Sequence, residues 1–341
     1  MAGWVPPAPR SSLRSTPGGG GIVFLAARGI GVLDPDGVMT TFGRWEAADA
    51  YWDPLHRSRI LVNPYTGGPP RLREFRRDGS KWREVRRWPT GYGLLSAISP
   101  SGTHLAYSVF EHGRQTWTIR VSGRDGSVRD LATDRLEPVS WTPSGRVLLS
   151  GWGPRRLEVW HPFHGTVASL DPTWGLREQL PSSARGIDLD VFHLSWSSDG
   201  RFFAAPAYWR VDGVSKRAVA VGSSARGVFE VIPTGKADTV PTWSPKASEL
   251  SYTTANGYPK QSSVLHVYDP STGQDVVIRR GVPDSWWVAW SPQGDWMLLD
   301  DDGQAEWLFV SRHEGTVVRR DRLGSFPRWA SPGVDLHIWV C

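Results

Sequence analysis

The chain has 341 residues, and its hydrophobic content of 39% excludes wholesale disorder. Its formal net charge of +5 is modest for this length and does not by itself indicate nucleic-acid binding. Tryptophan (20 residues), glycine (37) and proline (27) are abundant, which favours short strands separated by tight turns.

Residues 1–21 are rich in Pro, Ser, Arg and Gly and have no apolar periodicity, so we expect a flexible tail there. This segment lacks the apolar core of a secretory signal peptide. Later apolar runs, such as 22–27 and 286–290, are too short to span a bilayer. The single cysteine, Cys341, excludes an intrachain disulfide bond. We therefore expect a cytoplasmic protein without membrane insertion, with incorporation into a larger particle or non-classical release as alternatives.

From residue 22 onward, one turn motif recurs, and in its clearest form it is Trp-Ser-Pro-x-Gly. Successive copies are separated by about 40 to 55 residues, the length of a four-stranded propeller blade. The seven copies occupy residues 50–62, 96–108, 139–150, 194–205, 241–252, 288–299 and 327–340.

Each copy predicts a hairpin between two strands of a blade. An apolar strand ends in an aromatic residue, usually Trp, which is placed to pack between adjacent sheets. Ser, Thr or Asp then accepts a turn hydrogen bond, Pro sets φ, and Gly supplies positive φ. Two more strand-like segments follow, as at 264–268 and 275–278 in the fifth blade. Four strands per repeat predict an all-β fold, a single seven-bladed β-propeller over residues 22–341, with six or eight blades as alternatives.

The two ends of the chain are expected to share the seventh blade. The last copy would contribute two strands, and the segment from Ile22 to Phe42 would contribute the outer strands. Closing the ring in this way removes exposed sheet edges.

The motif resembles the WD40-like, TolB-type propeller repeat, most closely at 196–200 and 290–294. The resemblance covers residues 22–341 in outline, and it implies a toroidal interaction platform. It is loose at Trp52-Asp53-Pro54 and at 245–247, where the glycine is missing. TolB itself works in the periplasm behind a signal peptide, so the missing signal argues against an envelope role.

In a propeller, the loops opposite the repeated turns usually meet ligands, as the resemblance implies. Two insertions enlarge those loops, one at 171–190 and one at 207–213, and long loops in a compact fold are often functional. We expect partner- or ligand-binding residues on that face at Tyr208, Trp209, Arg210, Asp212, His112, Arg114, Tyr258, Asp300, Asp301 and Asp302.

The most basic stretch is predicted to form the two outer strands of the first blade. Charges there would discourage edge-to-edge pairing of sheets. The alternative is a rim contact for an acidic partner or nucleic acid, with Trp available for stacking. The arginines of this basic rim are Arg73, Arg76, Arg77, Arg83, Arg86 and Arg87.

No catalytic, metal-binding or cofactor motif stands out, so we expect no catalytic residue, no metal and no cofactor. Asp300 to Asp302 lack the spacing of a calcium loop, and His161 and His164 lack a third ligand nearby. The sequence favours a non-catalytic protein-interaction scaffold, such as a structural subunit of a larger assembly, with a protein partner. The alternatives are a propeller that binds carbohydrate or another small ligand, and a lyase or hydrolase acting in the channel. Nucleic acid is not the expected partner.

Overall fold

The structure is a computed structural model of the whole chain. It describes residues 20–26, 29–43, 47–52, 58–64, 72–79, 81–88, 95–111, 116–133, 136–151, 157–171, 173–237, 239–255, 263–283, 285, 288–301, 306–321, 323, 325–329 and 337–339. The predicted tail lies almost entirely outside these ranges, so its boundary with the propeller stays a prediction.

Seven antiparallel sheets of four or five strands form the fold, and the strands are numbered here in chain order. The first three strands are β1 (Ile22–Leu25), β2 (Ile30–Leu33) and β3 (Met39–Phe42). Blade 1 contains β4 (Ala47–Trp52), β5 (Arg59–Pro64), β6 (Arg73–Asp78) and β7 (Lys81–Arg87). Blade 2 contains β8 (Leu95–Ile98), β9 (His104–Glu111), β10 (Thr116–Gly123) and β11 (Val128–Thr133). Blade 3 contains β12 (Leu136–Trp141), β13 (Val147–Gly151), β14 (Leu157–His161) and β15 (Thr166–Leu170).

The second half of the chain continues this pattern. Blade 4 contains β16 (Arg185–Leu189), β17 (Ser195–Trp196), β18 (Phe203–Val211), β19 (Val214–Ser223) and β20 (Gly227–Pro233), with short 3-10 helices at Leu176–Gln179 and Val191–His193. Blade 5 contains β21 (Thr242–Trp243), β22 (Leu250–Thr254), β23 (Ser263–Asp269) and β24 (Gln274–Val282). Blade 6 contains β25 (Val288–Trp290), β26 (Trp296–Asp301), β27 (Glu306–Ser311) and β28 (Val317–Asp321). The last strands are β29 (Ser325–Trp329) and β30 (His337–Trp339).

This architecture confirms the all-β, seven-bladed propeller that the repeats and the WD40-like, TolB-type resemblance predict. In blades 1, 2, 3, 5 and 6, the first two strands of each sheet flank the predicted hairpin, and in blade 4 the flanking strands are β17 and β18. In the fifth blade, the two predicted strands at 264–268 and 275–278 are β23 and β24. Among the described residues, no helix is long and apolar enough to cross a membrane.

The repeated turn has the hydrogen bonds that its residues predict. The Ser or Thr hydroxyl accepts the backbone N–H at the start of the second strand, at 3.0–3.1 Å for Ser99, Thr142, Ser197 and Ser291. The turn glycine donates its own N–H to the carbonyl of that same Ser or Thr, at 2.7–2.9 Å. These glycines have φ between 67° and 76°, a region that residues with a Cβ rarely adopt, and they are Gly102, Gly145, Gly200 and Gly294.

Two of these glycines, Gly200 and Gly294, also lie against the turn of the preceding blade. A Cβ on Gly200 would lie 2.4 Å from the Cβ of Pro143 in the turn of blade 3, whereas a Cβ on Gly145 would meet nothing within 4 Å. Both sites carry the backbone cost of positive φ. We therefore expect Gly200→Ala to cost about 1 to 3 kcal/mol more than Gly145→Ala in urea unfolding, because only the first adds overpacking. Equal losses would show that the two turns do not press on each other.

The motif tryptophans join consecutive blades. In three blades, the indole N–H donates to a backbone carbonyl of the preceding blade. The acceptor residue comes directly before the residue that occupies the motif tryptophan position in that blade. The donor and acceptor pairs are Trp141 with Ala97 (2.9 Å), Trp243 with Ser195 (3.1 Å) and Trp290 with Thr242 (3.1 Å). All three tryptophans are at most 4% exposed. The predicted packing between sheets is therefore confirmed, and a directional bond accompanies it.

The ring closes through blade 7, in which β29 is the inner strand and β1, β2 and β3 follow outward. The pairing of β1 with β29 confirms that the two ends of the chain share one blade. An apolar cluster joins Phe24 of this blade to Trp307 of blade 6, with ring centroids 5.2 Å apart. A second cluster joins Val32 to Ile60 of blade 1.

The prediction that the last copy contributes two strands to this blade is wrong. Of its two described strands, β29 belongs to this blade and β30 pairs with β8 in blade 2. The physical reason is that β1 already occupies the outer edge of β29, the edge on which a second strand would add.

Candidate functional site: a basic groove between blades 1 and 2

The predicted 207–213 loop is not a loop. Residues 207–211 are the end of the nine-residue strand β18, and Asp212-Gly213 is the two-residue turn, with φ of 52° and 77°. The strand continues because β16 pairs with it, placing Arg185 opposite Arg210 and Asp188 opposite Tyr208.

The side chains of this segment differ in how far they are buried. Trp209 is 9% exposed and belongs to the apolar cluster of blade 4, so it supports the fold. Tyr208 is half-buried, and Arg210 and Asp212 are exposed. The proposed aromatic anchor at Trp209 is therefore closed to a partner in this structure, while its polar neighbours remain accessible.

The predicted long link at 171–190 is largely ordered into blade 4. It contains one 3-10 helix and β16, and Leu176, Ile187 and Leu189 are buried in the cluster of that blade. The alternation of Ile187, Asp188, Leu189 and Asp190 is a period-two strand signal that the sequence contained.

The other residues predicted for the loop face are not assembled by the structure. His112, Arg114, Tyr258 and Asp302 lie outside the described residues. Asp300 and Asp301 end strand β26 instead of forming a loop, and they pair with Trp307 and Glu306. Within the described part of the chain, no group of three or more His, Cys, Asp or Glu side chains could hold a metal ion.

The basic rim lies where the sequence places it, on β6 and β7, the two outer strands of blade 1. The structure divides its arginines among different partners. Arg77 makes two hydrogen bonds, of 2.6 and 2.8 Å, to the buried Asp34 of blade 7. Arg87 pairs with Glu84, and Arg83 with Asp78 at 3.3 Å. Arg86 instead turns towards blade 2, and Arg76 is exposed.

Arg86 lines a groove between blades 1 and 2 with a volume of about 460 Å³. One wall is the end of β7, and the other is the turn that joins β10 to β11. We call this cavity the inter-blade groove, and its lining residues are Arg86, Arg87, Trp88, Ser122, Gly123, Arg124, Asp125, Gly126, Ser127 and Val128.

A buried carboxylate holds one wall of the groove in place. Glu74 is 0% exposed, and Arg124 of blade 2 reaches both of its oxygens from Nη1 at 2.9 and 3.0 Å. Arg59 donates to the same carboxylate from within blade 1. Burial alone would raise the pKa of Glu74, but the hydrogen bonds and charges of Arg59 and Arg124 outweigh it and hold the pKa below its ordinary value. Glu74 is therefore an ionised link between the two blades.

Trp88 forms the apolar part of the groove. The guanidinium carbon of Arg86 lies 4.9 Å from the centre of its ring, and that of Arg124 lies 5.5 Å away, both within cation–π range. Arg86 also donates from Nη2 to the carbonyl of Arg124 at 3.0 Å. Trp88 is 2% exposed, and its indole nitrogen has no hydrogen-bond partner among the described residues. These contacts fix two arginine head groups side by side.

The charges around the groove do not balance. Among the described residues that line it, three are arginines and one is a carboxylate, which is a formal excess of two positive charges. The arginines are Arg86, Arg87 and Arg124, and the carboxylate is Asp125. A partly enclosed, positively charged cavity attracts carboxylate or phosphate groups.

Sequence reasoning found the arginines of blade 1 but missed Arg124 and its turn. Arg124-Asp125-Gly126 is an ordinary turn sequence in blade 2, and only the packing of one blade against the next brings it to Arg86.

Comparisons with known proteins identify solved structures that share this fold. No family model and no curated protein matches the chain. A protein of unknown function from Desulfotomaculum acetoxidans superposes with a TM-score of 0.57 at 11% identity, covering 92% of this chain and 99% of that chain. A candidate 6-phosphogluconolactonase from Bacteroides uniformis gives 0.57 at 11%, covering 93% and 99%. The tricorn protease gives 0.55 at 9%, covering 98% of this chain and 36% of that chain. Identities this low show a shared fold alone.

Proposed function

We propose that this propeller is a non-catalytic interaction scaffold that holds an acidic segment of a partner protein in the inter-blade groove. The observation that carries the proposal is the pair of guanidinium groups of Arg86 and Arg124, stacked at 4.9 and 5.5 Å on the buried Trp88. Arginine forks bind carboxylates in two-point geometry, and arginine is enriched at interface hot spots.

The rigidity of the groove supports this role. Its two walls belong to different blades, and the buried Glu74 ties them together through Arg59 and Arg124. Preorganised side chains lose less conformational freedom when a partner binds, so more of the interaction energy appears as affinity. An acidic side chain entering the groove would meet the excess of positive charge among its described lining residues.

The test compares the double substitution Arg86→Gln/Arg87→Gln with a matched control, Arg279→Gln/Arg280→Gln. Arg279 and Arg280 are exposed on β24 of blade 5, so the control removes two charges elsewhere. We expect the groove variant to lose at least about tenfold in affinity for a glutamate-rich peptide, measured by fluorescence anisotropy, and to show a weaker salt dependence. The control should keep the affinity of the unmodified chain.

Equal loss in both variants would mean that net charge alone attracts the peptide, which would contradict the proposal. Unchanged affinity in the groove variant would contradict it as well. An assay for hydrolysis of a phosphorylated sugar lactone addresses the enzymatic alternative suggested by the name of one structural relative. Turnover that survives Arg86→Gln/Arg87→Gln would place an activity outside the groove, and the non-catalytic assignment would fail.

A further inference from the structure

The last strand of the chain adds to a blade that its own repeat does not belong to. Strand β30 pairs antiparallel with β8, with His337 opposite Ala97, Ile338 opposite Ser96 and Trp339 opposite Leu95. Blade 2 thereby becomes a five-stranded sheet, in the order β11-β10-β9-β8-β30.

This position is on the channel side of the blade. Strand β8 is the first strand of blade 2, and the first strand of each propeller blade is the one nearest the axis. Strand β30 also contacts β4, the first strand of blade 1. In the described parts of the other six blades, no strand pairs with the channel-side edge of the innermost strand.

The inner edge of β8 thus has the property of any open sheet edge, a row of backbone N–H and C=O groups that can pair with another strand. Addition of an extended peptide to such an edge is a recurring mode of protein recognition, in which backbone hydrogen bonds give affinity. The described part of the ladder with β30 has three residue pairs, and the hydrogen bonds of so short a ladder can be exchanged for those of another strand.

We propose that the channel-side edge of β8 is an acceptor site for an extended peptide strand, which His337–Trp339 occupies within the chain and which an extended segment of a partner protein occupies by displacing it. The incoming segment runs antiparallel to β8 and carries no proline at the paired positions, since proline lacks the N–H that the ladder uses. This site is on the channel side of blade 2 and shares no described lining residue with the inter-blade groove.

The test uses the full chain and a fluorescent synthetic peptide with the sequence of residues 333–340. The variant His337→Pro/Ile338→Pro is designed to prevent β30 from pairing with β8, so that the channel-side edge of β8 is left open. Because the N–H groups of adjacent strand residues point to opposite sides, one of the two substitutions removes an N–H that faces β8. We expect the peptide to bind this variant at least about tenfold more tightly than the unmodified chain, because no internal strand competes.

A control peptide with proline at the same two positions should bind neither protein. Hydrogen exchange supplies the second measurement: amides within 95–98 should exchange faster in the proline variant and regain protection when the peptide is added. Equal peptide affinity for both proteins would overturn the proposal. Loss of cooperative thermal unfolding in the variant would overturn it too, because β30 would then be an integral part of the fold. The double substitution at Arg86 and Arg87 should leave peptide binding unchanged, so failure of one proposal does not decide the other.

Discussion

Trp290→Ala is expected to lower the free energy of unfolding by about 3 to 5 kcal/mol, the cost typical of truncating a large aromatic core residue. Trp290 is 4% exposed and packs between Leu265 and Val267 of blade 5 and the residues of its own blade. Its indole N–H donates to the carbonyl of Thr242 at 3.1 Å and lies 2.9 Å from the hydroxyl of Ser251. The substitution therefore opens a cavity at a blade interface and leaves buried acceptors without this donor. Urea unfolding followed by far-ultraviolet circular dichroism measures the loss.

Trp290→Phe separates the two contributions. It keeps most of the apolar contact and removes the donor, so we expect a loss of about 1 to 2 kcal/mol. The control is Phe163→Ala, an aromatic truncation at a side chain that is 50% exposed, with an expected change of about 0.5 kcal/mol or less. If Trp290→Ala cost no more than this control, the tryptophan would not be joining blades 5 and 6.

Glu74→Gln is expected to cost about 3 to 5 kcal/mol, because breaking a buried ion pair leaves its partner charge uncompensated. Glu74 is 0% exposed, and the side chain of Arg124 is 14% exposed. The matched control is Glu84→Gln on the neighbouring strand, which pairs with Arg87 and Arg73 and whose side chain is 25% exposed, so we expect a smaller cost of about 1 kcal/mol. A double-mutant cycle with Arg124→Gln should be non-additive, since the second change removes the charge that the first leaves unpaired.

The contribution of Glu74 should also depend on pH. Its pKa in the folded protein lies below the ordinary carboxyl value, so its stabilisation is complete above that ordinary value and disappears as the pH falls through the folded pKa. The difference in unfolding free energy between the unmodified chain and Glu74→Gln should therefore be largest near neutral pH and shrink on acidification below about pH 4. A difference that grows on acidification would have the wrong sign.

The architecture was predictable because each blade repeats the same local chemistry. The hydroxyl at Ser197, the glycine at Gly200 and the alternating strand after them act within a few residues of one another, so the sequence contains the whole hairpin. The motif tryptophans were predictable in position, since an indole next to the turn has to pack against a neighbouring sheet.

The site was less predictable because it depends on contacts between blades. Arg86 and Arg124 belong to different blades. Only the packing of these blades brings the guanidinium of Arg86 within 3.0 Å of the carbonyl of Arg124. Trp209 shows the converse error: a Tyr-Trp-Arg sequence is typical of interfaces, but β16 extends the sheet and buries the tryptophan. The position of β30 is also a tertiary feature, because this strand of the last repeat pairs with β8 of blade 2 and not with a strand of blade 7.

Blade 7 has a consequence for the order of events during synthesis. Strand β1 emerges from the ribosome early, and its partner β29 follows about 300 residues later, at a delay of about 15 to 60 s at ordinary rates of translation. Throughout that interval, the first three strands have one edge without its native partner. Until Ser325–Trp329 is synthesised, β1 is therefore an open sheet edge with which strands of other chains can pair. Closure of the ring thus depends on this edge staying free of other strands until the last part of the chain is made.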